Sequence, residues 1–224
     1  MENEKTLELI QLLQEIASKY GDKAAFSTSF SFEDQVITHY IFTLDLPIKV
    51  FTLDTGRIFP ETYSVLNSSR ERYAKTIQVY FPKTEAVEQL VTTKGASSFY
   101  ESIDNRIECC FIRKVEPLNR ALENVNCWIT GLRSEHSENR QQLSVYEWDE
   151  KRNLQKVNPL INWTFDEVKA IIKEFTIPYN VLHDKGFVSI GCQPCTRAIK
   201  DGENFRAGRW WWESSEKKEC GLHG

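Results

Sequence analysis

The chain has 224 residues, 41% hydrophobic and 27% charged, and its 28 Lys+Arg against 32 Asp+Glu give a net charge of −4. That length suits one large domain, or one domain with an extension, whose core needs no disulfide staples. Plentiful aromatics and a small net charge exclude disorder by composition, the acidic balance argues against a nucleic-acid surface, and no apolar run approaches the about 18 residues of a membrane helix.

The N-terminus, MENEKTLELI, is acidic and amphipathic, unlike a signal peptide, so the expectation is a soluble cytoplasmic protein. Apolar Leu9, Leu12, Leu13, Ile16 and Tyr20 recur at helical steps before Gly21, which predicts an N-terminal helix over 1–21. AAFSTS (24–29) reads as a buried strand running into a Ser/Thr loop, Glu33 to Leu44 as a helix, and IKVFTLD (48–54) as a strand ending in Asp-Thr-Gly. A helix follows Pro60, TIQVYF (76–81) is a strand, and Thr84 to Val91 is a helix. A helix then runs through Cys109 and Cys110, followed by a strand CWITGL (127–132) and two short strands around Val145 and Val157. Thr164, with Glu167 three residues on, caps a helix to Phe175.

This alternation predicts an α/β fold: a mostly parallel twisted sheet with helices on both faces. Ligands of such sheets sit beyond the carboxyl ends of the strands, which places 27–34, 54–57 and 131–140 at one rim. The reading is one domain over 1–224, with an irregular, mobile C-terminal segment from about residue 200 that carries charge and tryptophans.

Six cysteines in a cytosolic chain point to a metal site, redox chemistry or buried thiols. Cys192 and Cys195 form Cys-Gln-Pro-Cys, whose two-residue gap lets both sulfurs reach one centre. Cys109 and Cys110 are adjacent. Helix neighbours diverge by about 100°, so both ligate only a bulky or distorted centre, which favours a cubane over a single zinc. The alternative is a thioredoxin-like Cys-x-x-Cys beside two buried thiols. Cys127 begins an apolar strand and reads as a core thiol. Cys220 lies in KKECGLHG with Lys217, Lys218 and His223 close by, a setting that favours a reactive thiolate, although an incidental tail cysteine fits the spacing as well.

The Cys-Cys pair before Arg-Lys-Val-Glu-Pro-Leu, the later Cys-x-x-Cys and the terminal Glu-Cys-Gly-Leu-His resemble the assimilatory adenylylsulfate (APS) reductases of the phosphoadenylylsulfate (PAPS) reductase family. Leu-Asp-Thr-Gly (53–56), Gly-Leu-Arg (131–133) and Arg-Ala-Gly-Arg-Trp-Trp-Trp-Glu (206–213) extend the resemblance from about residue 24 to the end. It implies a nucleotide alpha-hydrolase, PP-loop-like fold, a [4Fe–4S] cluster on Cys109, Cys110, Cys192 and Cys195, and Cys220 as nucleophile. It also implies that adenosine 5′-phosphosulfate and reduced thioredoxin give sulfite and AMP. The four cluster cysteines favour APS, with a PAPS or dual APS/PAPS reductase as the runner-up; an ATP-using thiolation enzyme and a non-catalytic iron–sulfur sensor are further alternatives. One departure stands out: Ser29-Phe30-Ser31-Phe32-Glu33-Asp34 lacks the glycine usual in related nucleotide loops.

Thiolate attack on an anionic sulfur needs fixed cations and donors. Lys114, Arg206, Arg209 and His223 match the family's sulfate and phosphate contacts. Arg206 and Arg209, three apart, would share a face on a helical turn; a solvated face stacked on tryptophans is the alternative. Ser27 and Ser29 are assigned to the nucleotide phosphate, Asp54, Thr55 and Gly56 to the adenosine pocket, and Arg133 and Arg140 to a loop closing over the anion. Arg113 is expected near the cluster. The chain ends at Gly224 without a fused thioredoxin-like domain, so the reductant is expected from outside; partners exclude nucleic acid and membrane and leave a homo-oligomer open.

Overall fold

The computed structural model describes residues 4–136, 143–213 and 221. Its six strands are β1 (Ala24–Thr28), β2 (Lys49–Leu53), β3 (Gln78–Tyr80), β4 (Cys127–Ile129), β5 (Tyr146–Asp149) and β6 (Leu154–Val157). They form one sheet in the order β3-β2-β1-β4-β6-β5. β1 pairs in parallel with β2 and β4, and β4 with β6; only the β5–β6 hairpin at the edge is antiparallel among the registered pairs. The mostly parallel sheet expected from the alternation is therefore present. Strands 76–81 and 127–132 are shorter than predicted, because 130–133 leaves the sheet as a loop at its carboxyl rim.

The contacts gather into two compact units that alternate along the chain: Met1–Thr52, Pro60–Gln78 and Asn124–Val181 in the first, and Leu53–Phe59, Val79–Glu123 and Leu182–Gly224 in the second.

In the first unit, helix α1 (Glu4–Tyr20) buries Leu9, Leu13 and Ile16, the stripe legible in its spacing, and stops at Gly21, whose φ is +51°. Helix α2 (Phe32–Thr43) is buried from Phe32 to Phe42, so it lacks an amphipathic stripe. Two of its buried polar side chains donate to protein partners: Gln35 Nε2 to Ser69 Oγ (2.9 Å) and to the Pro178 carbonyl (2.7 Å), and Thr38 Oγ1 to the Asp34 carbonyl (2.7 Å). Helix α3 covers Pro60–Tyr73. Helix α7 (Phe165–Glu174) carries the expected capping box: Thr164 Oγ1 accepts from Glu167 N at 3.2 Å, and Glu167 Oε2 accepts from Thr164 N at 2.8 Å. The core joins Leu13, Ile37 and Ile41 to Phe26, Ile129, Val157 and Val168. Cys127 belongs to it with no exposed surface, and burial pushes its thiol up to about 12, as expected of a core cysteine.

The second unit contains α4 (Thr84–Lys94), α5 (Ile103–Cys110), a π-helical turn Phe111–Val115 and α6 (Glu116–Ala121). Its core is small and unusual: Leu90, Phe99 and Trp210 pack with Cys109, Cys110, Cys192 and Cys195. Among the described residues no helix is long and apolar enough to cross a membrane.

Candidate functional site

The four cysteines named from spacing come together in the second unit. Ser102 starts α5 by accepting Asn105 N at 3.1 Å, and the helix ends at Cys110. The chain then widens into the π turn, which turns Arg113 and Lys114 to the same cavity as the adjacent sulfurs. Cys192 and Cys195 flank a 3₁₀ turn closed by Cys195 N donating to the Cys192 carbonyl at 2.9 Å. All four side chains are buried, and they line one cavity. Its other walls are Arg57, Arg106, Arg113, Lys114, Phe99 and Pro194. Four thiols thus face four cations.

The loop after β2 reaches the same cysteines. Asp54 Oδ1 accepts Gly56 N at 2.8 Å, a turn that holds Gly56 at φ +71°, where glycine is the natural choice. A Cβ there would stand 3.4 Å from Arg113 Nη1. The Thr55 hydroxyl lies 3.2 Å from Cys192 Sγ, and Arg113 Nη1 donates to the Thr55 carbonyl at 2.6 Å. Arg57 carries its guanidinium 5.0 Å from the Phe99 ring, and its carbonyl accepts Gln193 N at 2.7 Å. Sequence reasoning assigned Asp54, Thr55 and Gly56 to an adenosine pocket; the structure directs the Thr55 hydroxyl to a cysteine.

Arg206 and Arg209 share a turn rather than a helix. Arg209 N donates to the Arg206 carbonyl at 3.0 Å, and Arg209 forms an isolated antiparallel bridge with Thr196. Three apart in sequence, two residues can face one partner on either kind of turn, and here the partner is Trp210. Its indole is held at φ +43° and is 1% exposed, with the guanidinium carbons of Arg106, Arg209 and Arg206 at 4.7, 4.8 and 5.9 Å from the ring. Arg106 also forms a two-point ion pair with Glu213, Nε to Oε1 at 2.8 Å and Nη2 to Oε2 at 3.0 Å, with both side chains 3% exposed.

The cysteines differ in acidity. Burial pushes Cys195 up to about 12, and it raises Cys109 against the opposing charges of Arg113 and Arg57. Burial also acts to raise Cys192, but Lys114, the Thr55 hydroxyl, Arg209 and Arg113 together outweigh it and the thiol is lowered. The cations therefore select one sulfur for early ionisation.

Among the described residues, no three His, Cys, Asp or Glu side chains are grouped to hold a single metal ion. The donor set is nonetheless informative: four soft thiols, cationic walls, and a buried Nε on Arg113 with no hydrogen-bond partner among the described residues. Soft thiolates suit iron–sulfur clusters, and donors aimed at such a site compensate a net negative centre.

The remaining predicted residues lie in the first unit or outside the described residues. Ser27 Oγ accepts Trp128 Nε1 at 2.9 Å. Ser29 donates to Asp34 Oδ2 through its backbone N at 2.6 Å and its hydroxyl at 2.7 Å. Arg133, 1% exposed, donates through Nε to Glu33 Oε1 at 2.8 Å and through Nη1 to Glu135 and to the Trp163 carbonyl, so its fork is turned to protein partners. Arg140, Cys220 and His223 lie outside the described residues.

Arg57, Arg106, Phe99, Trp210 and Glu213 were not picked out as site residues from the sequence. Arg106 had a signal: it stands three residues before Cys109, on the same helix face. Arg57 follows Asp-Thr-Gly directly, at a strand's carboxyl end.

Residues 23–198 match the family described as the phosphoadenosine phosphosulfate reductase domain. The adenosine 5′-phosphosulfate reductase of Burkholderia cepacia is 48% identical over 219 residues, 98% of this chain and 87% of that protein. That of Allochromatium vinosum is 47% identical over 214 residues, 96% of this chain and 83% of that protein. Among solved structures, the phosphoadenylyl-sulfate reductase from Candida auris, a phosphate complex, aligns with a TM-score of 0.66 at 29% identity, covering 89% of this chain and 98% of that one. Candida glabrata FMN adenylyltransferase in complex with ATP shares the fold, with a TM-score of 0.57 at 14% identity over 89% of this chain and 66% of that one.

Proposed function

The chain belongs to the phosphoadenosine phosphosulfate reductase domain family, and from that premise we propose that it reduces adenosine 5′-phosphosulfate to sulfite and AMP in sulfate assimilation, the whole chain 1–224 working as one reductase domain. The observation that carries this reading is the meeting of Cys109, Cys110, Cys192 and Cys195 on one cavity walled by Arg57, Arg106, Arg113 and Lys114. These four cysteines are assigned to a [4Fe–4S] cluster, consistent with soft donors and cationic walls. When bound, the cluster supplies a structural and electrostatic centre beside Lys114, while the electrons come from dithiols.

The reaction proceeds in two halves. The Cys220 thiolate attacks the sulfur of the sulfate–phosphate anhydride; an S–S bond forms, the S–O bond to phosphate breaks, and AMP leaves with the electron pair. A thioredoxin thiolate then attacks Cys220 Sγ and displaces sulfite, and the second thioredoxin thiol resolves the mixed disulfide. Sulfur thereby gains two electrons and thioredoxin loses two. Both partners of the first step are anionic, so cations fixed before reaction are required. Lys114, Arg206 and Arg209 are assigned to the sulfate and phosphate oxygens, with Arg140 on the loop closing over them. His223 is assigned to ionising Cys220 or holding a substrate oxygen, and Ser27 and Ser29 to the nucleotide. Free buried thiols among the described residues accord with the reducing cytoplasm.

The test is sulfite release from APS and from PAPS by anaerobically purified protein with reduced thioredoxin. The expected result is turnover with APS well above that with PAPS; turnover with PAPS alone, or with neither nucleotide, contradicts the reading.

A further inference from the structure

Asp34 stands where the sheet changes direction. From β1 the chain moves outward through β2 and β3, then places β4 on the other side of β1. In open α/β sheets, ligands enter beyond the strand ends at such a switch. The loops leaving the sheet there are 29–31 after β1 and 130–133 after β4.

One carboxylate connects them. Asp34 Oδ2 accepts both donors of Ser29, at 2.6 and 2.7 Å, while Oδ1 faces Gly131 so closely that a Cβ on that glycine would lie 2.0 Å away. Asp34 has nowhere to retreat. It is 5% exposed, its own N–H is tied to the Ser31 cap at 3.2 Å, and the same Cβ would stand 3.3 Å from Glu33 Cβ, itself fixed by the Glu33–Arg133 pair. Gly131 is not among the residues with positive φ, so the backbone does not demand glycine there; the space does.

The braced loop is strained. Phe30 holds φ +62° at 2% exposure, in a region that non-glycine residues occupy at a cost, with its N–H on Thr28 Oγ1 at 3.0 Å. Strain of this kind persists only where surroundings over-determine it. No glycine stands in 29–34, and the turn is held by a carboxylate seated against Gly131.

We propose that Asp34 is a positioning residue of the nucleotide loop, holding 29–31 in its binding conformation, and that Gly131 is glycine in order to seat it. This rests on the assignment of Ser27 and Ser29 to the nucleotide. The test is a double-mutant cycle, D34A, G131A and D34A/G131A, on the full-length, cluster-bearing protein. AMP serves as the probe in titration calorimetry, beside KM and kcat for APS. Each single substitution weakens AMP binding and raises KM on the order of tenfold, with a much smaller fall in kcat. The double variant is no worse than D34A, because the steric conflict has gone. D34N, which keeps an acceptor oxygen, recovers part of the loss.

Additive effects, or D34A binding AMP as tightly as the wild type, overturn the proposal. Should G131A fail to fold, restored folding in D34A/G131A supports the steric seat, and a double variant that also fails to fold refutes it. A wild-type protein that binds AMP but makes no sulfite from APS sinks the functional reading alone, and the AMP cycle still decides the brace.

Discussion

Glu213→Ala isolates a charge in the second unit. Arg106 meets Glu213 through two hydrogen bonds, 2.8 and 3.0 Å, with 3% of either side chain exposed. The guanidinium also packs 4.7 Å from the Trp210 ring, so truncating the glutamate takes the carboxylate away from a buried cation. Burial is the largest influence and acts to lower the Arg106 pKa, but the hydrogen bond and charge of Glu213, with Cys110, together outweigh it and the pKa is raised. Breaking a buried pair by removing one partner costs about 3–5 kcal/mol, against about 0–1 kcal/mol for a solvated surface pair. At roughly 2–4 °C per kcal/mol for a chain of this size, the apparent Tm falls by about 6–20 °C. The assay is anaerobic thermal unfolding by circular dichroism, with visible absorbance followed in parallel. Replacing both partners by apolar residues of similar volume, R106M/E213L, recovers most of the loss, since no charge is left stranded. A fall below about 4 °C for E213A, the surface-pair range, would refute the reasoning. So would a double variant as unstable as the single.

On the proposed cluster assignment, substituting any one of Cys109, Cys110, Cys192 or Cys195 by serine should cost the purified protein its brown colour and most of its iron and sulfide, whereas Cys127→Ser should keep them, as iron and acid-labile sulfide assays would show. The carboxyl of Asp34 is pushed up to about 6 from 3.8, chiefly by burial and against the Ser29 hydrogen bonds. The folded state therefore holds that proton more tightly than the unfolded chain, and the wild type loses stability relative to D34N as pH rises from about 4 to about 6. A shift of about two units sets the scale at roughly 3 kcal/mol. His39 acts the other way: burial, then Arg72, holds its imidazole down to about 4, so its contribution is lost as pH falls from 6.5 toward 4. It cancels in the wild-type minus D34N difference, read from urea midpoints across that range; a flat difference contradicts the assignment.

Patterns carried within one element were readable from residues alone. The 9–13–16 stripe of α1, the Thr164–Glu167 box and the alternation of strands with helices each depend on near neighbours, and each is present. The cysteine spacing went further, because soft donors close together in sequence must share a centre or do little together, and all four line one cavity. What escaped depends on long-range packing. Thr55 and Cys192 are 137 residues apart, and nothing local to Asp-Thr-Gly says that its hydroxyl faces a sulfur. The Arg106–Glu213 pair spans 107 residues and links a helix to an irregular segment with no periodicity to read. Arg133 shows the same limit: its partner Glu33 stands 100 residues away, and nothing local to Gly-Leu-Arg announces that pair.

In the proposed mechanism Cys220 becomes sulfonated by an activated adenylate. Cluster-bearing protein mixed with sulfur-radiolabelled APS, without thioredoxin, should release AMP and retain an equal amount of label through a denaturing gel. Added thioredoxin should free that label as sulfite, and Cys220→Ser should retain none. Label persisting on the serine variant, or sulfite formed at the wild-type rate without that thiol, would contradict the account.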